Sequence, residues 1–404
     1  MATTFLPAFQ DRNMRIYIAG QFPSLLGTWM ESAAMLWQAA VIAPPNHKAI
    51  YVGLIAGLQT FPSVVLGPFG GALLDRYGLL KTYIVTQAMG MIIAVALAIA
   101  AFFHEASMPI LVICSVLLGL VQILDRPAQN SLAGILVTSA HLRSATALSS
   151  CMNATGMAVG SAMAGLVIAY WGITWTFLIN AISFFFVIGA LFLVKPIAIE
   201  KHAISHPWQM FKEGFSFILK EPKIAMLLSL GSVALLLGNS YQKVLVVLAQ
   251  QMFNSDPRTY GYLLTAGAIG AITGTAWVAI RPTNKPPFVV AAQTFFMTAV
   301  ALLAFSQTHM LRIAYGELFL AGLAITMVHP VIRAELQHTA GGHMLGRIMG
   351  WSVTFNFGAY TIGSIVAGIL IQHLGSRMTV MINGLAALAV GLAALVALRK
   401  QKDD

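Results

Sequence analysis

Residues 174–194 read TWTFLINAISFFFVIGALFLV, twenty-one positions without a charge. At about 1.5 Å of rise per residue a helix of that length covers about 30 Å, the depth of a bilayer's hydrocarbon core. Only a helix or a closed barrel satisfies its own backbone polar groups in hydrocarbon. Residues 84–103 and 378–398 are likewise uncharged, so the chain crosses a membrane repeatedly. Composition agrees: 58% of the 404 residues are hydrophobic and 9% charged. Soluble domains carry about 25% charged residues. Hydrophobic runs and polar breaks place twelve transmembrane helices near 14–43, 49–75, 82–104, 107–126, 142–171, 173–194, 223–250, 258–280, 286–308, 310–332, 345–373 and 376–398. The expected fold class is an all-α membrane protein.

The net charge of +10 reports topology rather than a nucleic-acid surface. With the N-terminus placed in the cytoplasm, eighteen of the 23 Lys and Arg residues fall on that side and five on the other. The positive-inside rule then puts both termini in the cytoplasm. Asp11, Arg12 and Arg15 lead straight into the first long helix, so no removable signal peptide is expected. Cys114 and Cys151 fall within predicted helices and read as small thiols, not as a disulfide. His104, His309 and His373 show no metal-ligand spacing, so no metal or other cofactor is expected.

The chain also repeats itself. Residues 149–180 laid on 352–383 without gaps match at 11 of 32 positions, where chance gives only a few. Asn153 meets Asn356, Gly160-Ser161 meets Gly363-Ser364, Ala164-Gly165 meets Ala367-Gly368, and Asn180 meets Asn383. The most polar stretch lies between the halves, dividing the chain into residues 1–194, a cytoplasmic central loop at 195–222, and residues 223–404. Two parallel six-helix repeats characterise one large class of transporters.

Between the second and third helices stands Gly70-Gly71-Ala72-Leu73-Leu74-Asp75-Arg76-Tyr77-Gly78-Leu79-Leu80-Lys81. This G-x-x-x-D-R-x-G loop resembles the signature of the major facilitator superfamily. The resemblance implies a gate built from Gly71, Asp75, Arg76, Gly78 and Lys81 that stabilises the outward-facing state. Leu79 and Leu80 replace the two basic residues usual there. Further likeness comes from Gly20-Gln21, Leu26-Gly27-Thr28-Trp29-Met30, Asp125-Arg126-Pro127-Ala128 and the LINAISF run at 178–184. Together they resemble the enterobactin-exporter-like branch, whose members are mostly efflux permeases. Gly156, Gly160 and Gly165 in the fifth helix are similar to the glycine motif of facilitator antiporters, with Ser161 where proline is usual. Spacing small residues by four or five also serves plain close packing, and both readings stand.

Projected at 100° per residue, Gln21, Ser24, Thr28, Glu31, Met35 and Gln38 fall within an arc of about 100° on the first helix. Lipid does not accept such a stripe, so it is expected to face protein or a water-filled cavity. The fourth helix contributes Ser115, Gln122, Asp125 and Gln129, the seventh Ser229, Ser232, Asn239 and Lys243, and the tenth Tyr315, Thr326, His329 and Arg333. In the superfamily, helices 1, 4, 7 and 10 line the cavity. Glu31 lies near mid-membrane, where a carboxylate costs about 2.5–3.5 kcal/mol on insertion scales. It resembles the first-helix acids of proton-coupled multidrug exporters and is the candidate for proton or cation coupling. The alternatives are a structural partner to a buried polar group and simple wetting of a cavity. Lys243 has three readings: a substrate contact, a pair with Glu31, or snorkelling to the surface. Asp125 and Arg126 read as an inner-gate pair or as helix caps.

No G-x-x-x-x-G-K-[ST] loop is present, so the expected energy source is a gradient rather than ATP. Neither an H-E-x-x-H motif nor a nucleophile–base pair suggests an enzyme. The expected function is proton-coupled export of an amphipathic small molecule, drug-like or siderophore-like, by a monomer in a bacterial inner membrane. Its partners are substrate, protons and lipid, with no nucleic acid. A facilitator importer, a lysolipid transporter of the same fold and a non-transporting membrane receptor are the rivals.

Overall fold

The computed structural model describes residues 7–195, 207–280 and 286–403. Among these, the regular structure is entirely helical. The first half comprises α1 (Arg12–Ile42), α2 (Lys48–Leu58), α3 (Phe61–Tyr77), α4 (Leu79–Phe102), α5 (Met108–Leu136), α6 (Leu142–Trp171) and α7 (Ile173–Leu193). A short helix, α8 (Pro207–Lys220), follows. The second half comprises α9 (Pro222–Lys243), α10 (Leu245–Phe253), α11 (Pro257–Ile280), α12 (Pro287–Gln307), α13 (Leu311–Leu374) and α14 (Ser376–Asp403).

Eleven segments among the described residues are long and apolar enough to cross a membrane. The twelfth crossing is α1, whose 31 residues reach about 46 Å but whose polar side chains keep it out of that set. One crossing is formed by α2 and α3 together, broken at Gln59-Thr60 just before Pro62, which has no N–H to donate. The 64 residues of α13 supply two crossings, at Leu311–Ala340 and Arg347–Leu374. His329 and Asn356 line one cavity although a straight helix would set them about 40 Å apart, so the chain doubles back between those arms.

Two sequence expectations change here. The central segment holds a helix, α8, with Phe215 stacked 5.0 Å from Trp351 and Glu213 paired with Arg347 at 2.7 Å. Residues 196–206 of that segment lie outside the described residues. The fourth predicted helix stops at 126, whereas α5 continues through Pro127 to Leu136. Proline disfavours helix at the residue before it, but packing carries α5 through. Asp125 and Arg126 are therefore interior positions, and the helix-cap reading fails.

The duplication survives in the backbone. Gly172 and Gly375, 203 residues apart, both turn the chain at positive φ, +86° and +81°. Only glycine adopts that region without strain. Large side chains such as Phe185, Phe186 and Phe192 point outward, as a lipid-facing surface requires.

Three apolar cores decide the shape. On the side away from the termini one core joins both halves, with Leu36, Val52 and Val167 meeting Val246, Leu263 and Ile371. Toward the termini there are two: one holds Tyr17, Tyr83, Leu132 and Val187, the other Ile224, Phe295, Val328 and Ile332. The halves are thus fused at one end and parted at the other.

Fusion depends on two close helix crossings. A Cβ on Gly165 of α6 would lie 2.5 Å from the Pro257 carbonyl oxygen and 2.9 Å from Gly261 Cα of α11. A Cβ on Gly368 of α13 would lie 2.5 Å from the Ala49 oxygen and 3.2 Å from Gly53 Cα of α2. Small residues let backbones meet this closely. Thr60 and Thr361 share a hydrogen bond across the halves at 2.8 Å, and Lys48 donates to Gln250 at 3.1 Å.

Candidate transport cavity

Where the halves part, two adjoining cavities open. One, of about 350 Å³, is bounded by Tyr17, Gln21 and Trp29 of α1, Asn130 of α5 and Asn153 of α6. The other, of about 410 Å³, is bounded by Asn130 again, by His329 and Arg333 of one arm of α13, and by Asn356 and Tyr360 of its other arm. Asn130 is common to both, and the repeat-related Asn153 and Asn356 each line one of them. A third cavity of about 50 Å³ includes Trp29, Ser32, Tyr260 and Lys243.

The cavity face of α1 is not the projected stripe. Gln21 lines the cavity, with Tyr83 donating to its Oε1 at 2.7 Å. Ser24 turns into the bundle and donates to Gln87 at 3.4 Å. Buried Glu31 accepts a hydrogen bond from the Asn180 amide of α7, and Ser183 in turn donates to Asn180 Oδ1 at 3.1 Å. Thr28 is exposed and bonds its own helix at the Ser24 carbonyl, 2.8 Å away. Gln38 donates to the Ala106 carbonyl at 3.5 Å. Ser24, Thr28, Glu31 and Gln38 therefore line none of the three cavities. Periodicity showed that they share a face; only tertiary packing showed that this face turns mostly toward α4 and α7.

A second polar group is packed within the first half. Asp125 accepts from Thr86 Oγ1 at 2.9 Å and from Gln87 Nε2 at 2.6 Å. Tyr17, Gln21 and Gln129 stand beside this group on the wall of the first cavity, where Tyr83 of α4 donates to Gln21. Asp125 faces α4, while its neighbour Arg126 stacks over the Phe357 ring of the other half at 5.9 Å. The two consecutive residues serve different surfaces.

Elsewhere, Lys243 stands at the end of α9 with its ammonium 5.9 Å from the Tyr360 ring centre. No ion pair joins it to Glu31 among the described residues. His329 lines the larger cavity, and its Nε2 is buried without a hydrogen-bond partner. Thr326 is spent on packing, donating to the Ala271 carbonyl at 3.0 Å. Gln122 is half-buried on α5 and borders none of these cavities. Gly71, Asp75 and Asn239 lie on helices, but their side chains are outside the described residues. Arg76 sits over Tyr77 at 5.5 Å, Gly78 ends α3 with φ +88°, and Lys81 is exposed on α4. Gly156 and Gly160 pack α6 on α1 at Leu25, Leu26 and Trp29, whereas Gly165 meets the other half.

Sequence reasoning missed Trp29 because the stripe on the first helix followed polar side chains, Asn130 because the fourth helix was ended at 126, and Phe357 and Tyr360 because the lining was restricted to helices 1, 4, 7 and 10. The identity of Asn153 and Asn356 at the repeat offset was the available signal that α6 and the second arm of α13 contribute as well.

Known proteins place this architecture. A family model described as transmembrane secretion effector matches residues 2–404. The staphyloferrin A transporter of Staphylococcus aureus is 21% identical over 399 residues, covering 96% of this chain and 97% of its own. The enterobactin exporter EntS of Shigella flexneri is 22% identical over 373 residues, covering 90% and 83%. A solved bacterial homologue of the human lysosomal transporter Spinster, inward-facing and unoccupied, superposes with a TM-score of 0.74 at 12% identity, over 95% of this chain and 96% of that one. The chain belongs to the transmembrane secretion effector family of the major facilitator superfamily and is a multi-pass membrane transporter, not an enzyme.

Proposed function

We propose that this transporter exports amphipathic small molecules, drug-like or siderophore-like, across a bacterial cytoplasmic membrane in exchange for protons. Both termini are assigned to the cytoplasm by the charge asymmetry, which makes the parted ends the cytoplasmic face. The observation that carries the reading is the contrast between one shared core at the far end and two separate cores beside the cavities. A pair of rigid halves pivoting about that seam would expose the same cavity to either side. The printed functions of the siderophore-handling relatives support export of a comparable solute.

Within this scheme Glu31 is the coupling carboxylate. It is buried in the bundle, held by Asn180, and acts by altering how α1 packs on α7 rather than by touching substrate. Gly71, Asp75, Arg76, Gly78 and Lys81 form the cytoplasmic gate. Gln21, His329 and Lys243 contact the solute, and the transporter works as a monomer.

Inverted vesicles test the scheme. Acidifying the lumen should drive uptake of an amphipathic aryl dye, and dye addition should release luminal protons. Glu31→Gln should abolish the proton release while dye binding persists. Proton release equal to that of the unaltered protein would remove Glu31 from coupling, and uptake driven only by an alkaline lumen would mark an importer.

A further inference from the structure

The charges around the cavities are of one sign. Arg333 lines the larger cavity and Lys243 the smallest, and no carboxylate lines any of the three. Two carboxylates inside the first half-bundle are engaged elsewhere, Asp125 by Thr86 and Gln87 and Glu31 by Asn180. Toward the terminal end, Glu335 is taken by Lys223 at 2.6 Å.

The second arm of α13 gathers two cations. Phe357 and Tyr360 are three residues apart, one helical turn on one face, and both line the larger cavity. Arg126 comes from the first half to stack on Phe357, and Lys243 comes from the second half to lie over Tyr360. Through those two rings, one turn apart, both cations are gathered on the same face of the arm. Among the described residues neither makes an ion pair. Like charges gathered on one helix face repel, and an anion between them would offset that cost. His329 adds a buried ring nitrogen without a partner in the same cavity. The aromatic rings beside the cations, and Trp29 in the same small cavity as Lys243, supply flat apolar walls for a ring system.

We propose that the cavity selects solutes bearing an acidic group on an aromatic body. The acid bridges Lys243 and Arg126, so that one ligand charge ties the two halves together, and Arg333 draws anions in from the open end. This specifies the substrate class of the transport reading above and rests on the same cavity.

Three ligands of one shape and different charge decide it: 2-naphthoate, 2-naphthamide and 2-naphthamidine. Their affinities are measured with purified full-length protein from the dependence of the thermal unfolding midpoint on ligand concentration. Naphthoate should bind about tenfold more tightly than the amide, with the amidine weakest. Lys243→Gln and Arg126→Gln should each erase that preference, and Arg126→Lys should retain part of it, which separates charge recognition from ring stacking. Gel filtration of each variant identifies misfolding. Equal binding of the three ligands, or a naphthoate preference that survives in the folded Lys243→Gln, Arg126→Gln double variant, overturns the assignment. Because binding is read without a gradient, an error in the direction of transport or in its coupling leaves this result unaffected.

Discussion

At Asp125, one carboxylate collects two donors from α4, and the cost of losing it sets a scale for the whole network. Removing a buried acceptor strands its donors, at about 1–3 kcal/mol for each unsatisfied group. Asp125→Leu should therefore lower the thermal unfolding midpoint markedly, whereas Asp125→Asn keeps one amide oxygen to accept and should lose much less. Comparing the two in detergent separates acceptor loss from charge loss; an equal shift for both would mean that the negative charge itself stabilises the bundle. Of the residues around this carboxylate, the sequence singles out Gln21, Ser24 and Asp125 itself, but not Thr86 or Gln87. What the residues could not say is which neighbour each one meets, because helical projection orders side chains around an axis and leaves the rotation of that axis open.

Among the elements, α6 performs two tasks on one glycine ladder. Its Gly156 and Gly160 lie against α1, and Gly165 against Gly261 of α11 in the other half. A leucine at Gly165 has no room in this arrangement, since even its Cβ would stand 2.5 Å from the Pro257 oxygen. Gly165→Leu should consequently push the far seam apart and bias the protein toward the opposite opening. Maleimide labelling of a cysteine introduced at Asn130, on the cavity wall, would fall several-fold from the terminal side; undiminished labelling would show that the seam tolerates the side chain. By contrast Gly156→Leu presses on α1 within one half and should reduce stability rather than redistribute the two openings. The glycine spacing was legible in the sequence, but the division of labour within it was not, because both helix contacts demand the same small residues.

For the molecule as a whole, the seam between halves is both a hinge and a seal. Thr60 and Thr361 meet across it with their hydroxyl oxygens 2.8 Å apart, close enough for replacement by a disulfide. The Thr60→Cys, Thr361→Cys pair should cross-link under mild oxidation and stop transport, with full recovery after reduction. Transport that continues through the cross-link would show that the far end need not open and would remove alternating access about this seam. Each single cysteine variant should transport normally under oxidant, which controls for damage at Cys114 and Cys151.

By itself the sequence determined that the chain lives in a bilayer, how often it crosses, and that it is a tandem duplication. Those properties follow from local apolar length and from identities at a fixed offset, neither of which needs a neighbour in space. Tertiary structure alone decided that Glu31 and Asp125 are held inside the first bundle, that α6 and the second arm of α13 help line the cavity, and that Arg126 and Lys243 converge from opposite halves. The reason is geometric: a polar residue on a membrane helix must avoid lipid, but bundle interior and aqueous cavity satisfy that demand equally well, and only packing chooses between them.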